Sequence, residues 1–282
     1  MPAAPQAYVI KNRYCYMSDI KYFDTHAHLE DSLMRSSFEG GTEGAIDALL
    51  KDGVCNVVNI GTNIKNSKAS MELAEKYPFI YAAVGIYPSE SQYLGDGLDS
   101  ALSEIESLLS HPKVVALGEI GLDYHYEDTD KEVQSYAFEA QMQMAERNGV
   151  PVVIHDRDAH GDVMDMIHKY PDVRGVLHSF SGSAEMARQL ANLGWYISFS
   201  GPVTYKNASK VKEAARIVPD DKLLVETDSP YLPPTPHRGK INYPGYIAYT
   251  VRAIAELRGC SEAEIAVLTR RNAERFFGIT QQ

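Results

Sequence analysis

Short apolar runs alternate with longer helical patterns along almost the whole chain, and this alternation most restricts the possible folds. Each run is short and apolar in character, as expected for strands buried on both faces of a parallel sheet. We predict eight strands, at Lys21–His26, Val54–Ile60, Ile80–Gly85, Val114–Glu119, Val152–His155, Gly175–His178, Trp195–Phe199 and Lys222–Glu226.

Helical periodicity fills the segments between these strands and after the last one. The predicted helices are Gly44–Lys51, Leu98–Leu109, Asp130–Arg147, Asp162–Lys169, Ala184–Leu193, Lys206–Ile217, Ile247–Leu257 and Glu262–Phe277. Alternating strands and helices predict an α/β fold with a parallel sheet. The closure we predict is a (β/α)₈ TIM barrel, a fold of typically about 250 residues. A doubly wound open sheet is the alternative, but the chain lacks the glycine-rich dinucleotide loop that would favour it.

The length of 282 residues suits one barrel domain over residues 17–282, preceded by an N-terminal extension over residues 1–16. No apolar run approaches the roughly 18 residues that cross a bilayer, and the first residues lack the pattern of a secretory signal. Cys15, Cys55 and Cys260 have no paired spacing, which is typical of reduced thiols. We therefore expect a cytoplasmic protein without membrane association, and nothing in the sequence indicates an obligate protein partner.

The net charge of −11 argues against broad nonspecific binding to polyanions. It does not exclude a nucleic-acid substrate, because bound divalent cations can reverse the local field inside a small cleft. The charge thus disfavours a DNA-coating protein and leaves a nuclease open.

The first predicted strand ends in Asp24-Thr25-His26-Ala27-His28. Side chains two apart in an extended chain face the same way, so His26 and His28 can present both imidazoles to one metal ion. Chance His-x-His pairs are frequent, and the pair taken alone fits core histidines equally well.

Other metal-binding side chains fall at the ends of further predicted strands. Glu119 ends the fourth strand, His155 the fifth and His178 the sixth, and Asp228 follows the eighth. Barrel active sites are assembled from the C-terminal ends of the strands, which is where all of these lie. Histidine, glutamate and aspartate together suit a borderline-to-hard divalent metal, and a set larger than one tetrahedral ion needs indicates two ions.

These strand ends lie in motifs that resemble the TatD family of metal-dependent deoxyribonucleases, within the amidohydrolase-like barrels. The motifs run in the family's order from about residue 20 to residue 278. The matching stretches are 23–29 (FDTHAHL), 118–124 (GEIGLDY), 151–157 (PVVIHDR), 178–182 (HSFSG), 200–206 (SGPVTYK), 226–232 (ETDSPYL), 238–244 (RGKINYP) and 272–277 (NAERFF).

The resemblance implies hydrolysis of DNA phosphodiester bonds, as a 3′–5′ exonuclease on single strands or 3′ ends, with two divalent metal ions (Mg²⁺, Mn²⁺ or Zn²⁺). The ligands it implies are His26, His28 and Asp228 for one ion, His155 and His178 for the other, and Glu119 as the bridge. We hypothesise a metal-activated water as nucleophile, because divalent ions can lower the pKa of water from 15.7 toward about 7. Asp228 would also take the proton of this water, which makes Asp228 and Glu119 the expected catalytic residues.

Arg157, Arg238 and Lys206 are candidates for phosphate contacts, with an ordinary solvated surface charge as the alternative for each. Tyr87 follows the third strand in Gly-Ile-Tyr-Pro, where relatives often have a histidine. Tyrosine can donate one hydrogen bond to a phosphate but cannot carry the charge of an imidazole. Substrate contact at Tyr87 is therefore an expectation distinct from the metal site.

The long loop after the last strand, Tyr231–Pro244, is of a length that is usually functional in compact domains. In it Asn242 and Tyr231 shape the cleft or simply form turns. Asp24 either orients a ligand histidine or caps a strand end. The remaining histidines fall outside the strand-end pattern and are expected at the surface, with His237 the exception to consider; they are His111, His125, His160, His168 and His237.

Two other functions remain open at this point. A hydrolase of small amides, lactones or phosphate esters is the first, because this type of barrel serves many chemistries and a fold does not fix its substrate. A noncatalytic barrel that keeps metal for stability is the second, although purely structural sites favour closed four-coordinate geometry.

Overall fold

The computed structural model describes residues 20–279. The expected extension over residues 1–16 and the domain boundary at residue 17 lie outside the described residues, so this division stays a prediction. No helix within 20–279 combines the length and the apolar character that a membrane span requires.

Eight parallel strands form one sheet in the order β1 to β8, each hydrogen-bonded to the strands next to it in sequence. The strands are β1 (Tyr22–Ala27), β2 (Val54–Ile60), β3 (Ile80–Val84), β4 (Val114–Asp123), β5 (Val152–Arg157), β6 (Gly175–Leu177), β7 (Tyr196–Phe199) and β8 (Leu223–Val225). The sheet closes where the backbone N–H of Asp228 donates to the carbonyl of His26 at 2.9 Å, and that of His28 to Ser229 at 2.8 Å. The predicted (β/α)₈ barrel is confirmed.

Helices follow the strands and cover the outside of the barrel. Those within the described residues are α1 (Ser32–Ser37), α2 (Gly41–Lys51), α3 (Ile64–Lys76), α4 (Pro88–Ser91), α5 (Leu98–Leu108), α6 (Lys131–Asn148), α7 (His160–Lys169), α8 (Ala184–Asn192), α9 (Ser209–Ile217), α10 (Ile247–Arg258) and α11 (Glu262–Phe277). The predicted helices agree within three residues at either end, while α1, α3 and α4 were not predicted. The segment Tyr231–Tyr243 carries no helix or strand, as expected for the loop after β8.

Two layers of buried side chains hold the barrel together. Outward-facing strand residues pack against the helices in the larger core. Inside the barrel, a smaller core takes side chains from every strand, among them Phe23 and Leu224, and is joined by Phe276 and Phe277 of α11. Because α11 packs against this inner core at β1 and β8, the opposite, C-terminal ends of the strands are left to form a cavity.

Candidate metal centre

All six predicted metal ligands meet at the C-terminal mouth of the barrel. They come from β1 and the residue after it (His26, His28), β4 (Glu119), β5 (His155), the residue after β6 (His178) and the segment after β8 (Asp228). Five are buried, and His155 is partly exposed. Strands distant in sequence thus deliver a compact group of nitrogen and oxygen donors.

Glu119 stands between two pairs of histidines. Its Oε2 lies 3.3 Å from Nε2 of His26 and 3.8 Å from Nε2 of His28. Its Oε1 lies 2.8 Å from Nδ1 of His155 and 2.9 Å from Nε2 of His178. Each carboxylate oxygen therefore faces a different imidazole pair, which is the arrangement of a bridging ligand.

Asp228 completes the side of the cluster that contains His26 and His28. Its Oδ1 lies 3.6 Å from Nε2 of His26 and 3.7 Å from Nε2 of His28, and the ligand atoms of these three residues all lie within 4.8 Å of one another. Asp228 has a φ of 56°, in the left-handed region that residues other than glycine seldom adopt. Such backbone conformations concentrate at functional sites, where the surrounding structure enforces them.

The spacing of the ring nitrogens tests whether the donors fit metal ions. Nε2 of His26 and Nε2 of His28 are 3.3 Å apart, and Nδ1 of His155 and Nε2 of His178 are 3.1 Å apart. Two nitrogens each about 2.0–2.1 Å from one ion, at angles between a right angle and a tetrahedral one, lie about 2.8–3.4 Å apart. Both pairs meet this condition, and with two carboxylates the donor set fits two divalent cations.

Irregular strand pairing places two of the ligands. The register of β1 against β2 shifts between Asp24 and Ala27, around His26. The register of β4 against β5 shifts between Leu117 and Ile120, around Glu119. Such shifts interrupt the regular inward–outward alternation and can re-aim a side chain beside an active site.

Gly121 allows β4 to lie close to β5 beside the cluster. It has a φ of 134°, and a Cβ atom there would stand 2.1 Å from the carbonyl oxygen of His155. A larger residue at this position would therefore push His155 away from Glu119.

The charged groups of the cluster shift one another's pKa values. Burial by itself raises the pKa of Glu119, but the charges of His178 and His26 and hydrogen bonds from His155 and His178 hold this pKa well below its ordinary value. Burial lowers the pKa of His178, yet Glu119 and Glu226 outweigh it and hold that pKa well above the ordinary value. Glu119 is thus an anion at neutral pH, as a metal ligand must be.

Two carboxylates that were not predicted as site residues stand behind the histidines. Oε1 of Glu226 lies 3.2 Å from Nδ1 of His178 and accepts the backbone N–H of Ser179 at 2.7 Å. Oδ2 of Asp123 lies 3.2 Å from Nε2 of His155. Both acids lie in motifs noted in the sequence, but only the three-dimensional structure shows which imidazole each one contacts.

The cluster forms the floor of a cavity of about 900 Å³ at the barrel mouth. Of the predicted substrate contacts, Arg157 and Tyr87 line this cavity, and Lys206 and Arg238 are not in its lining. The guanidinium of Arg238 lies 4.4 Å from the centre of the Tyr205 ring.

Arg35 of α1 also lines the cavity, and the sequence did not indicate it. Its helix is short and carries no motif, so no pattern pointed to it. Arg35 makes no ion pair or side-chain hydrogen bond to the residues that the structure describes.

Asn242 and Asp24 hold the backbone around the cluster. The amide of Asn242 donates to the carbonyls of Thr227 and Tyr231 at 2.9 and 2.7 Å, which fixes the loop after β8. Asp24 accepts hydrogen bonds from the backbone N–H groups of His26 and Thr227, at 3.2 and 2.9 Å. It ties β1 to the segment after β8, without a bond to an imidazole ring.

The other histidines do not contribute donors to the cluster. His237 is stacked on the ring of Tyr246, with centroids 3.9 Å apart. The remaining four pair with carboxylates or a backbone carbonyl away from the cluster; they are His111, His125, His160 and His168.

Comparison with known proteins points to one family. A family model described as "TatD related DNase" matches residues 23–278. YabD of Bacillus subtilis, named an uncharacterized metal-dependent hydrolase, is 41% identical over 259 residues, which span 91% of this chain and 99% of YabD. TatD of Mycobacterium tuberculosis, also named an uncharacterized metal-dependent hydrolase, is 37% identical and covers 91% of this chain and 97% of its own length.

Solved structures give the same result. The crystal structure of YjjV, a TatD homologue from Escherichia coli, superposes with a TM-score of 0.84 at 30% identity, covering 92% of this chain and 98% of YjjV. A phosphotriesterase homology protein from Escherichia coli superposes with a TM-score of 0.65 at 17% identity, covering 92% and 99% of the two chains. The second likeness establishes a shared fold alone.

Proposed function

The chain belongs to the TatD family of metal-dependent hydrolases, and on that premise we propose that it is a deoxyribonuclease. In this proposal it hydrolyses phosphodiester bonds and removes nucleotides from the 3′ end of single-stranded DNA. The six clustered side chains would hold two divalent cations, with Glu119 shared between them.

The position of Glu119 carries the proposal. Its two oxygens face two histidine pairs at the floor of an open cavity, and Asp228 stands on one side only. A divalent cation bound here supplies a Lewis acid for phosphoryl oxygens and a lowered pKa for water, toward about 7. A noncatalytic metal site would not need an open cavity above its ligands.

Asp228 is the general base in this proposal. Burial raises its pKa, but the ion pair with His28 and the charges of His26 and His178 outweigh this effect and lower the pKa below its ordinary value. The carboxylate is therefore ionised at neutral pH and lines the cavity, where it can accept a proton from an attacking water.

Two arginines favour a polyanionic strand over a small neutral substrate. Arg35 follows β1 and Arg157 ends β5, and these strands lie on opposite sides of an eight-stranded barrel. Neither guanidinium pairs with a carboxylate among the described residues, and Arg157 donates only to the hydroxyl of Tyr126, at 3.4 Å. A strand laid across the mouth would offer each arginine a phosphate, and Arg suits phosphate oxygens through its bidentate fork.

Single-stranded DNA labelled at either end, incubated with metal-reconstituted protein, tests the proposal. A small lactone and an aryl phosphate are run beside it. We expect mononucleotides to be released from the 3′ end, with Mg²⁺, Mn²⁺ and Zn²⁺ compared at equal occupancy. Turnover of the lactone or the aryl phosphate alone would show that the protein is a hydrolase of small substrates and not a nuclease.

Asp228→Asn and Asp158→Asn form a matched pair of variants. Both aspartates have a φ of 56° at the rim of the barrel, but Asp158 lies outside the cluster and pairs with His125. Loss of a general base typically costs about 10²–10⁴-fold in rate, which we expect for Asp228→Asn while Asp158→Asn stays near wild type. Full activity of a folded Asp228→Asn protein would contradict the assignment.

A further inference from the structure

Tyr87 lines the cavity beside the metal cluster, and its hydroxyl donates a hydrogen bond to Asp123. We propose that Tyr87 and Asp123 are positioning residues that together hold the imidazole of His155 with Nδ1 toward Glu119. The inference rests on the proposed metal centre and adds a role for Tyr87 other than substrate contact.

Hydrogen bonds connect the side chains of Tyr87, Asp123 and His155, and the donor in each of them can be assigned. The hydroxyl of Tyr87 donates to Oδ2 of Asp123 at 2.7 Å. Nε2 of His155 lies 3.2 Å from that same oxygen and 3.2 Å from the Tyr87 hydroxyl oxygen. Since the tyrosine proton is used on Asp123, the only group that can supply a hydrogen between His155 and these two oxygens is Nε2–H.

This assignment fixes the tautomer of His155. Nδ1 lies 2.8 Å from Oε1 of Glu119 and 3.1 Å from Nε2 of His178. Once Nδ1 gives up its hydrogen to make room for a cation, the proton that stays on Nε2 leaves a lone pair at Nδ1 that would face the cation. Nδ1 is thus the atom of His155 that would bind metal, and the Asp123 carboxylate behind Nε2 raises the basicity of Nδ1.

Asp123 is itself rigidly held. Its Oδ1 accepts the backbone N–H of His125 at 3.0 Å, and its own backbone N–H donates to Gln134 at 2.9 Å. The Asp123 side chain is fully buried. A carboxylate fixed in this way can orient a neighbouring ring rather than follow its motion.

His155 needs such support more than the other three histidines. Its side chain is 15% exposed, against 9% for His28, 4% for His178 and none for His26. The ring of Tyr87 packs edge-on against it, with centroids 4.9 Å apart at 67°. Tyr87 therefore supplies a packing surface and a hydrogen bond where burial alone would restrain the imidazole least.

Tyr87→Phe can be compared with a closely matched control, Tyr124→Phe. Tyr124 also donates to a carboxylate at 2.7 Å, that of Asp162, on the same rim of the barrel, but it touches none of the clustered histidines. Each variant thus loses one tyrosine–aspartate hydrogen bond of the same length. Only Tyr87→Phe loses one that leads to the cluster.

Two quantities are measured. The first is zinc affinity, by competition with a chromophoric chelator. The second is the imidazole N–H resonance of His155 in zinc-loaded protein labelled with ¹⁵N-histidine. Mutation of groups behind metal ligands typically weakens metal binding by about 10–100-fold. We expect Asp123→Asn to weaken zinc binding by an amount within that range, and Tyr87→Phe to weaken it by about tenfold, the lower end of the range. The zinc affinity of Tyr124→Phe should match that of the wild type. The His155 Nε2–H signal should shift or broaden in the first two variants only.

Equal zinc affinity and an unchanged His155 signal in Tyr87→Phe would overturn the inference, as would an equal loss in Tyr124→Phe. If Asp123→Asn does not fold, Tyr87→Phe still decides the question. The zinc and NMR measurements use no nucleic acid, so their outcome does not depend on whether the protein has the proposed nuclease activity.

Discussion

Glu119 is the residue on which both halves of the proposed metal centre depend, because each of its oxygens faces one pair of histidines. The four imidazoles around it are not equivalent. Those of His155 and His178 have a carboxylate behind the ring, while Nδ1 of His28 lies 3.0 Å from the carbonyl of Ile60. Nδ1 of His26 is buried without a hydrogen-bond partner among the described residues. The two sides of the centre are therefore tuned by different surroundings.

Protonation of these histidines makes the stability of the metal-free protein depend on pH. Burial lowers the pKa of His28, but the ion pair with Asp228 and the charge of Glu119 outweigh it and raise the pKa to about 9. A histidine with a raised pKa stabilises the fold fully below its unfolded pKa of about 6.5, and this contribution is lost as the pH rises through the folded value. We expect the free energy of unfolding of the metal-free protein to fall between pH 6.5 and about 9.

Thermal unfolding in a chelator, and again with saturating zinc, measures this effect. Zinc binds only neutral imidazoles, so its stabilising effect should be larger at high pH than at low pH. His28→Gln should flatten the pH dependence, whereas His168→Gln, which removes a histidine bonded to the carbonyl of Met164, should not. A metal-free protein that becomes more stable over this pH range would refute the expectation.

At the scale of elements, the sequence predicted the strands well because most of them are short, mainly apolar runs between polar segments. The clustering of the six candidate ligands followed, since polar residues at strand ends in a barrel meet at one mouth. Helix α3 was missed because its buried face consists of Ser67, Ser70 and Ala74, which give no apolar periodicity. The sequence could not predict the roles of Asp123 and Glu226, because each role depends on which histidine ring the carboxylate contacts.

Helix α11 closes the end of the barrel opposite the cavity. Phe276 and Phe277 pack against Phe23 and Tyr196, which face the inside of the barrel. We expect Phe276→Ala to lower the free energy of unfolding by about 3–5 kcal/mol, as for other buried phenylalanines. Metal stoichiometry should be retained in the folded fraction, because this end lies away from the ligands.

Chemical denaturation measures the change, with Val267→Ala as control. Val267 lies on the same helix but is 38% exposed. A loss of stability in Phe276→Ala no greater than in Val267→Ala would show that α11 does not support the inner core.

At the scale of the whole molecule, a net charge of −11 coexists with a proposed polyanionic substrate. The cavity lining includes Arg35 and Arg157 but also carboxylates such as Glu30, Asp31 and Glu90. In the proposed function, the side chains of the cavity therefore attract only a few phosphates of a DNA strand, and the proposed cations supply the remaining attraction.

This arrangement predicts a weak salt dependence of DNA binding. For single strands the slope of log affinity against log salt is about −0.7 for each phosphate neutralised, so two arginines give about −1.4. Arg35→Gln and Arg157→Gln should each make the slope shallower by about 0.7, since each removes one contact. Fluorescence anisotropy with a labelled oligonucleotide and metal-loaded Asp228→Asn protein measures it.

Arg188→Gln is the control for the salt series. Arg188 is an exposed arginine of α8 that pairs with Glu185 and lies outside the cavity lining. A slope that changes as much in Arg188→Gln as in Arg35→Gln would show that the binding is spread over the surface rather than confined to the mouth.

Anomalous diffraction from crystals grown with Mn²⁺ tests most directly whether Glu119 bridges two cations. We predict two anomalous peaks about 3.5–4 Å apart, one beside His26, His28 and Asp228 and the other beside His155 and His178, with the Glu119 carboxylate between them. The absence of any peak beside Glu119 at full Mn²⁺ saturation, or a single peak that contacts only one histidine pair, would contradict the two-metal centre.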